Sequence, residues 1–176
     1  MLNQTFHVGQ FDGLRILAKG HALVSFGVIW AIFCGIGLIW LDLPLSQAIY
    51  GSLLVTALHW LNELWHHLSH QQAAKRTGYP MSGIMFVWML ATSLYPRDEP
   101  ELPGRIHMQR ALGGPVGSLL LTLLAGIIFF FVRDTTGLTW YAALFFLLDN
   151  GLVFVVGALL PLGFTDGSTI IKYWGK

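Results

Sequence analysis

Charged residues are scarce in this sequence of 176 residues: Asp, Glu, Lys and Arg make up 11% of it, against roughly 25% in an ordinary soluble domain. Hydrophobic residues make up 55%, and the mean hydropathy is +0.62. The chain has too little polar surface for an ordinary soluble domain. We therefore predict an integral membrane protein, with the lipid bilayer as its first partner.

Cysteine is nearly absent, since Cys34 is the only one. A lone cysteine cannot form an internal disulfide, which excludes a disulfide-stapled secreted scaffold. The formal net charge is only +1, which argues against nucleic acid as a partner because nucleic-acid binding needs a basic surface. No internal repeat or linker divides the chain, so we predict a single membrane domain over residues 1–176.

Four stretches are apolar and close to the roughly 20 residues that a membrane-spanning helix needs. These predicted spans cover about residues 23–41, 49–68, 112–132 and 138–160. Between the second and third spans, Tyr79–Tyr95 is apolar but short, and it is bracketed by Pro80 and Pro96. We predict a re-entrant or strand-like hairpin there, buried against the helices. The predicted fold class is therefore an all-α membrane protein with four transmembrane helices and one such hairpin.

The basic residues predict the orientation of these spans. With the N-terminus in the cytoplasm, nine of the ten Lys and Arg residues lie on the cytoplasmic side, and Arg133 alone lies outside. We therefore expect a multi-pass protein of a prokaryotic plasma membrane, with both termini cytoplasmic. Residues 1–20 form a cytoplasmic lead-in, whose short alternating runs around Gly9 and Gly13 suggest strands or an interfacial segment.

The second span carries titratable side chains, which are costly in a bilayer and are functional candidates for that reason. On a helix advancing about 100° per residue, His59, Glu63, His66 and His70 fall within about 60° of one another. His67 lies further round, about 100° from His66. The sequence thus predicts one polar stripe roughly 16 Å long.

Two His residues four positions apart can hold one metal ion from successive helical turns. His66 and His70 have this spacing, and Asp166 at the cytoplasmic end of the fourth span is the best-placed third ligand. The simpler alternative is that these His side chains lie at a helix end near the headgroups and bind water.

Three sequence blocks add to this pattern. They are His66–His70 with the following Ala73–Gly78, the Gly-Pro block Ala111–Ser118, and Pro161 five residues before Asp166-Gly167. In this order they resemble the signatures of the site-2 protease family of intramembrane zinc metalloproteases. The N-terminal segment FDGLRILAKGHALVSF is also similar to the strand-rich lead-in of that family.

The resemblance implies that family's membrane core, with Zn²⁺ as cofactor held by His66, His70 and Asp166. It also implies hydrolysis of a peptide bond in a transmembrane helix. In that family the Glu after the first His is the general base, which activates a zinc-bound water against a peptide carbonyl.

His67 occupies the position of that Glu. A dication nearby disfavours a protonated imidazole, so His67 is a poor substitute for a carboxylate in moving a proton. Ala158 and Ser118 stand where the family tends to have Asn residues, whose amides help hold the substrate or the developing oxyanion. We therefore predict that the metal is retained and that proteolysis is weak or lost.

Two roles are possible for Glu63, because it lies one helical turn from His66 on the predicted stripe. It either replaces the missing base or acts as a ligand or a partner of the ligands, and we favour the second. The catalytic candidates are thus Glu63 and His67. As an enzyme the chain is a zinc metallopeptidase. As a pseudoprotease it is a helix-binding subunit or assembly factor of a larger membrane complex, with a transmembrane helix as its partner.

Two further features have alternative interpretations. Asp149, inside the fourth span, either pairs with His59 or lines a polar cavity, or the helix simply breaks at Asn150-Gly151. A haem or pigment pocket using His59 or His21 would also need aromatic, apolar helices with a buried His, but ordinary membrane helices have the same composition.

Overall fold

The computed structural model describes residues 2–175 and is mostly helical, with one small sheet. Its elements in chain order are β1 (Thr5–Phe11), β2 (Leu14–Lys19), α1 (Gly20–Ile39), α2 (Leu45–Arg76), β3 (Gly83–Val87), β4 (Leu90–Leu94), α3 (Gly104–Val132), α4 (Leu138–Leu148), a π-helical segment (Asp149–Gly157) and α5 (Asp166–Tyr173).

Three helical stretches within the described residues are long and apolar enough to cross a membrane: Gly20–Ile39, Gly104–Val132 and Leu138–Gly157. They coincide with the first, third and fourth predicted spans. The second predicted span lies inside α2, which is 32 residues long but too polar to qualify by composition. Three of the four predicted spans are therefore supported, and the second remains a prediction.

The sheet has the strand order β1-β2-β3-β4. Its β1–β2 hairpin turns at Asp12-Gly13, where both residues have positive φ angles of 50° and 77°, as a tight two-residue turn requires. β2 then pairs in parallel with β3, from Arg15 opposite Gly83 to Ala18 opposite Phe86. The predicted all-α class is corrected by this sheet.

The predicted strand-like hairpin at Tyr79–Tyr95 is confirmed as the antiparallel pair β3–β4. Trp88 at its turn has a φ of 57°, which is unusual for a bulky side chain. Two contacts hold it: its N–H donates to His21 Nδ1 over 3.0 Å, and its ring stacks on the His21 ring at 4.7 Å. The hairpin tip is therefore attached to the start of α1.

Small residues bring α2 and α3 close together. A Cβ on Gly113 would lie 2.6 Å from Ala73 Cβ, and a Cβ on Gly117 would overlap the Ser69 side chain. The Gly-Pro block of α3 is therefore the surface on which α2 packs.

The fourth span does not break at Asn150-Gly151. Its helix widens there into the π-helical segment, and Asn150 Nδ2 donates to the Phe146 carbonyl over 2.9 Å. Such widened turns occur often at functional sites.

Candidate metal centre

His66 and His70 lie on the face of α2 that packs against α3, and both are buried. Their Nε2 atoms are 3.0 Å apart. Asp166 Oδ2, in the first turn of α5, lies 3.2 Å from His66 Nε2 and 3.3 Å from His70 Nε2. The structure therefore brings Asp166 to two His residues that lie 100 and 96 positions before it in the sequence.

These distances fit one tetrahedral metal ion. Ligand atoms about 2.0–2.1 Å from Zn²⁺ lie roughly 3.3 Å from one another in a tetrahedral site, and the three measured separations are 3.0, 3.2 and 3.3 Å. Two imidazole nitrogens and a carboxylate oxygen are also ligands that Zn²⁺ accepts. Within residues 2–175, this is the one group of His, Cys, Asp and Glu side chains with three potential ligand atoms so close together.

The other ring nitrogens fix the orientation of both imidazoles. His70 Nδ1 donates to the Arg110 carbonyl over 2.8 Å, which leaves a lone pair on Nε2. His66 Nδ1 lies 2.9 Å from the hydroxyl of Ser118, which is fully buried. Metal-binding His residues are usually oriented by such contacts to their second nitrogen.

Gly114 provides the space for the centre. A Cβ at this position would overlap the Nε2 atoms of both His66 and His70. Any larger residue would therefore occupy the volume in which the ligand atoms converge. The Gly-Pro block thus serves the site as well as the packing of the helices.

Asp166 enters the centre from a short helix that begins at this residue. Gly167 lets that helix approach the preceding segment, because a Cβ there would overlap the Leu159 carbonyl. Burial alone would raise the pKa of Asp166. Before a metal binds, hydrogen bonds that the Nε2 atoms of His66 and His70 donate when protonated outweigh burial and lower the pKa to about 2. The carboxylate is therefore ionised at neutral pH, as a metal ligand must be.

Glu63 and His67, the two catalytic candidates, face the β3–β4 hairpin. Glu63 Oε1 accepts a hydrogen bond from the Ala91 N–H and lies 3.4 Å from His67 Nε2. His67 Nδ1 is 3.0 Å from Ser93 Oγ. The predicted single stripe is therefore divided, since Glu63 contacts the hairpin while His66 and His70 meet Asp166.

His59 also belongs to the hairpin side of α2. Its Nδ1 lies 3.1 Å from Asp149 Oδ1, and its Nε2 donates to the Met89 carbonyl over 3.0 Å. Asn62 Nδ2 donates to the second oxygen of Asp149 over 2.8 Å. Of the interpretations offered for Asp149, pairing with His59 is confirmed.

Arg110 is a site residue that the sequence analysis missed. It is only 4% exposed, and its guanidinium donates to both oxygens of Glu99 and lies 4.2 Å from the centre of the Tyr95 ring. Because its carbonyl accepts from His70, Arg110 connects the centre to the loop before α3. The sequence signal that could have indicated Arg110 is its position four residues, or about one helical turn, before Gly114.

A cavity of about 820 Å³ opens beside the centre. Its walls include the three ligand candidates and both catalytic candidates, together with β4 and the start of α5. The centre is therefore accessible to a ligand larger than water.

The comparison with solved structures bears on the architecture. No protein-family model and no curated protein sequence matches the chain. A solved structure, the site-2 protease from Methanocaldococcus jannaschii, is similar with a TM-score of 0.63 and 16% sequence identity. The similarity covers 96% of this chain and 70% of that one. The resemblance seen in the sequence is thus confirmed at the level of the fold, and the chain has the fold of a site-2 protease.

Proposed function

We propose that this chain is a site-2-protease-like membrane protein that binds Zn²⁺ through His66, His70 and Asp166, and that its proteolytic activity is weak or lost. The observation that carries the proposal is the triangle of ligand atoms, 3.0 to 3.3 Å on each side. Lone pairs held so close repel one another, and a divalent cation between them removes that repulsion.

Bound Zn²⁺ acts as a Lewis acid and lowers the pKa of a coordinated water to about 7. The residues of the chain hold the ion, orient the imidazoles through Ser118 and the Arg110 carbonyl, and keep Asp166 ionised. What a peptidase needs in addition is a carboxylate that moves a proton at this centre.

Both candidates for that proton transfer are engaged elsewhere. The Glu63 carboxylate accepts from the Ala91 N–H, and both ring nitrogens of His67 have partners, at Ser93 and Glu63. These contacts hold Oε1 of Glu63 and both ring nitrogens of His67 on the hairpin side of α2, which supports weak or absent proteolysis.

We also propose that α2 crosses the membrane, giving four spans with both termini in the cytoplasm. At 32 residues it is about 48 Å long, which exceeds the roughly 30 Å of hydrocarbon. Its buried His, Glu and Asn side chains have partners inside the protein. Internal pairing of this kind makes polar residues tolerable at membrane depth.

Zinc content of the detergent-purified protein tests the metal site. We expect about one zinc per chain in the wild type and none in a His66→Ala/His70→Ala variant. His7→Ala is the control, because it removes an exposed imidazole from β1, outside the ligand triangle. A folded wild-type protein without metal would contradict the proposal.

Proteolysis is tested by returning a carboxylate to position 67. We expect His67→Glu to cleave a model transmembrane peptide in liposomes at least tenfold faster than the wild type. A wild type that already cleaves at the rate of the variant would contradict the loss of activity. If neither protein cleaves the peptide while both hold zinc, that result favours the helix-binding subunit or assembly factor, for which the open cavity is the supporting feature.

A further inference from the structure

A second stripe on α2 runs beside the metal ligands, and its members are four residues apart. Two of its members contact the hairpin backbone: His59 Nε2 donates to the Met89 carbonyl over 3.0 Å, and Glu63 Oε1 accepts from the Ala91 N–H. His67 Nδ1 lies 3.0 Å from Ser93 Oγ. Gln71 Oε1 accepts from the Met81 N–H over 2.8 Å, in the segment that leads into the hairpin. We call these four α2 residues the docking stripe.

The spacing of these contacts follows from the two repeats involved. Four residues of an α-helix rise about 6.0 Å, and two residues of a strand rise roughly 6.6–6.8 Å. Positions 59, 63 and 67 of α2 therefore stay in register with positions 89, 91 and 93 along the hairpin. The match lets every second residue of the hairpin meet the same face of α2.

The contacts satisfy backbone groups that would otherwise lack partners. β4 is an edge strand in the order β1-β2-β3-β4, so half of its backbone groups point away from β3. Glu63, only 3% exposed, accepts the Ala91 N–H as a neighbouring strand would. His59 Nε2 donates to the Met89 carbonyl at the turn.

We propose that the docking stripe fixes β4 as one wall of the metal cavity, and that Glu63 is a positioning residue. In this role Glu63 acts as a hydrogen-bond acceptor for the β4 backbone, and neither its negative charge nor its basicity is required. His67 supports the same wall through Ser93. The inference rests on the proposed function only in treating this cavity as the functional one.

Two substitutions of Glu63 separate positioning from proton transfer and from metal binding. Glu63→Gln keeps an oxygen that can accept the Ala91 N–H but removes the charge and the basicity. Glu63→Leu has similar length and removes the acceptor as well. A positioning residue is rescued by Gln, whereas a base or a charged ligand is not.

Amide hydrogen exchange measures how firmly the β4 backbone is held against α2. We expect exchange in residues 89–94 to become at least tenfold faster in Glu63→Leu and to stay within threefold of the wild type in Glu63→Gln. The β1–β2 hairpin is the internal control and keeps its wild-type exchange in both variants. Equal acceleration in Gln and Leu would overturn the inference.

Metal binding is measured on the same samples with added Co²⁺. We expect the visible absorption of bound Co²⁺ to be the same in the wild type and in Glu63→Gln, because the coordinating atoms do not change. A shifted spectrum in Glu63→Gln would make Glu63 a ligand and overturn its positioning role. Absence of bound metal in every sample would count against the proposed function, while the exchange result would still decide the inference.

Ser93→Ala provides a second test that leaves Glu63 in place, in case Glu63→Leu does not fold. It removes the contact to His67 and leaves the other contacts of the docking stripe intact. We expect faster exchange in residues 89–94, by about threefold. Unchanged exchange in this variant would overturn the role of His67.

Discussion

His66 and His70 meet nitrogen to nitrogen: their Nε2 atoms are 3.0 Å apart, and each is within 3.3 Å of Asp166 Oδ2. Their Nδ1 atoms are held at Ser118 and at the Arg110 carbonyl. Two buried imidazoles are thus turned toward one point by α3, while α5 supplies the carboxylate. Each of these supports yields a measurable prediction.

Gly114→Ala should abolish metal binding. The added Cβ would overlap both Nε2 atoms, so the imidazoles have to rotate away or the helices have to separate, at a cost of about 1–3 kcal/mol in unfolding free energy. Zinc content and detergent unfolding measure the two effects. Gly126→Ala on the same helix is the control, because the nearest atom to its Cβ would be 3.8 Å away. Normal zinc content in Gly114→Ala would contradict the geometry of the centre.

The His59–Asp149 pair should couple α2 to the π-helical segment. Removing one member leaves the other buried without its partner, which costs roughly 3–5 kcal/mol. We expect His59→Leu and Asp149→Leu each to lower the unfolding free energy by such an amount. The double variant should lose less than the sum by about 0.5–3 kcal/mol. Unfolding by SDS, followed by circular dichroism, measures all three, and strict additivity would mean that the pair contributes no coupling.

The Glu99–Arg110 ion pair should make stability depend on pH in the acid range. The hydrogen bond from Arg110 holds the pKa of Glu99 below its usual value of 4.5. A carboxylate whose pKa is lowered by folding stabilises the protein above its usual pKa, and this contribution disappears as the pH falls through the lowered value.

We therefore expect Glu99→Gln to be less stable than the wild type at pH 6 by about 1 kcal/mol, with the difference shrinking as the pH falls below the usual Glu pKa of 4.5. Melting temperatures across this range measure it. Glu101→Gln, an exposed position on the same loop, is the control and should match the wild type throughout. A difference that does not shrink as the pH falls below that value would rule out the carboxylate charge as its source.

The orientation predicted from the basic residues is tested by reporter fusions. Green fluorescent protein fused after the last residue should fluoresce, because that end is predicted to lie in the cytoplasm. Alkaline phosphatase inserted in the connection between α3 and α4, at residues 133–137, should be active outside it. Two inactive reporters would contradict the predicted orientation.

The amino-acid sequence was sufficient for the features that depend on local spacing or on length. The four-residue separation of His66 and His70 places both on one helical face wherever α2 packs, and apolar length alone identifies three spans. The apolar run between Pro80 and Pro96 is too short for a membrane-spanning helix, so it was predicted as a re-entrant or strand-like hairpin, and the strand-like form is the one observed.

Contacts between distant segments were decided only by the tertiary structure. The parallel pairing of Arg15 with Gly83 joins strands 68 positions apart. Nothing local in either strand predicts that the two pair in one sheet, which the all-α prediction lacked. The angular positions of the side chains around α2 placed Glu63 and His66 on one predicted stripe, because the two lie within about 60° of each other. Angle gives the direction of a side chain but not the element that packs there. Once β4 occupies one side of the helix and α5 the other, Glu63 meets a backbone N–H while His66 meets a carboxylate.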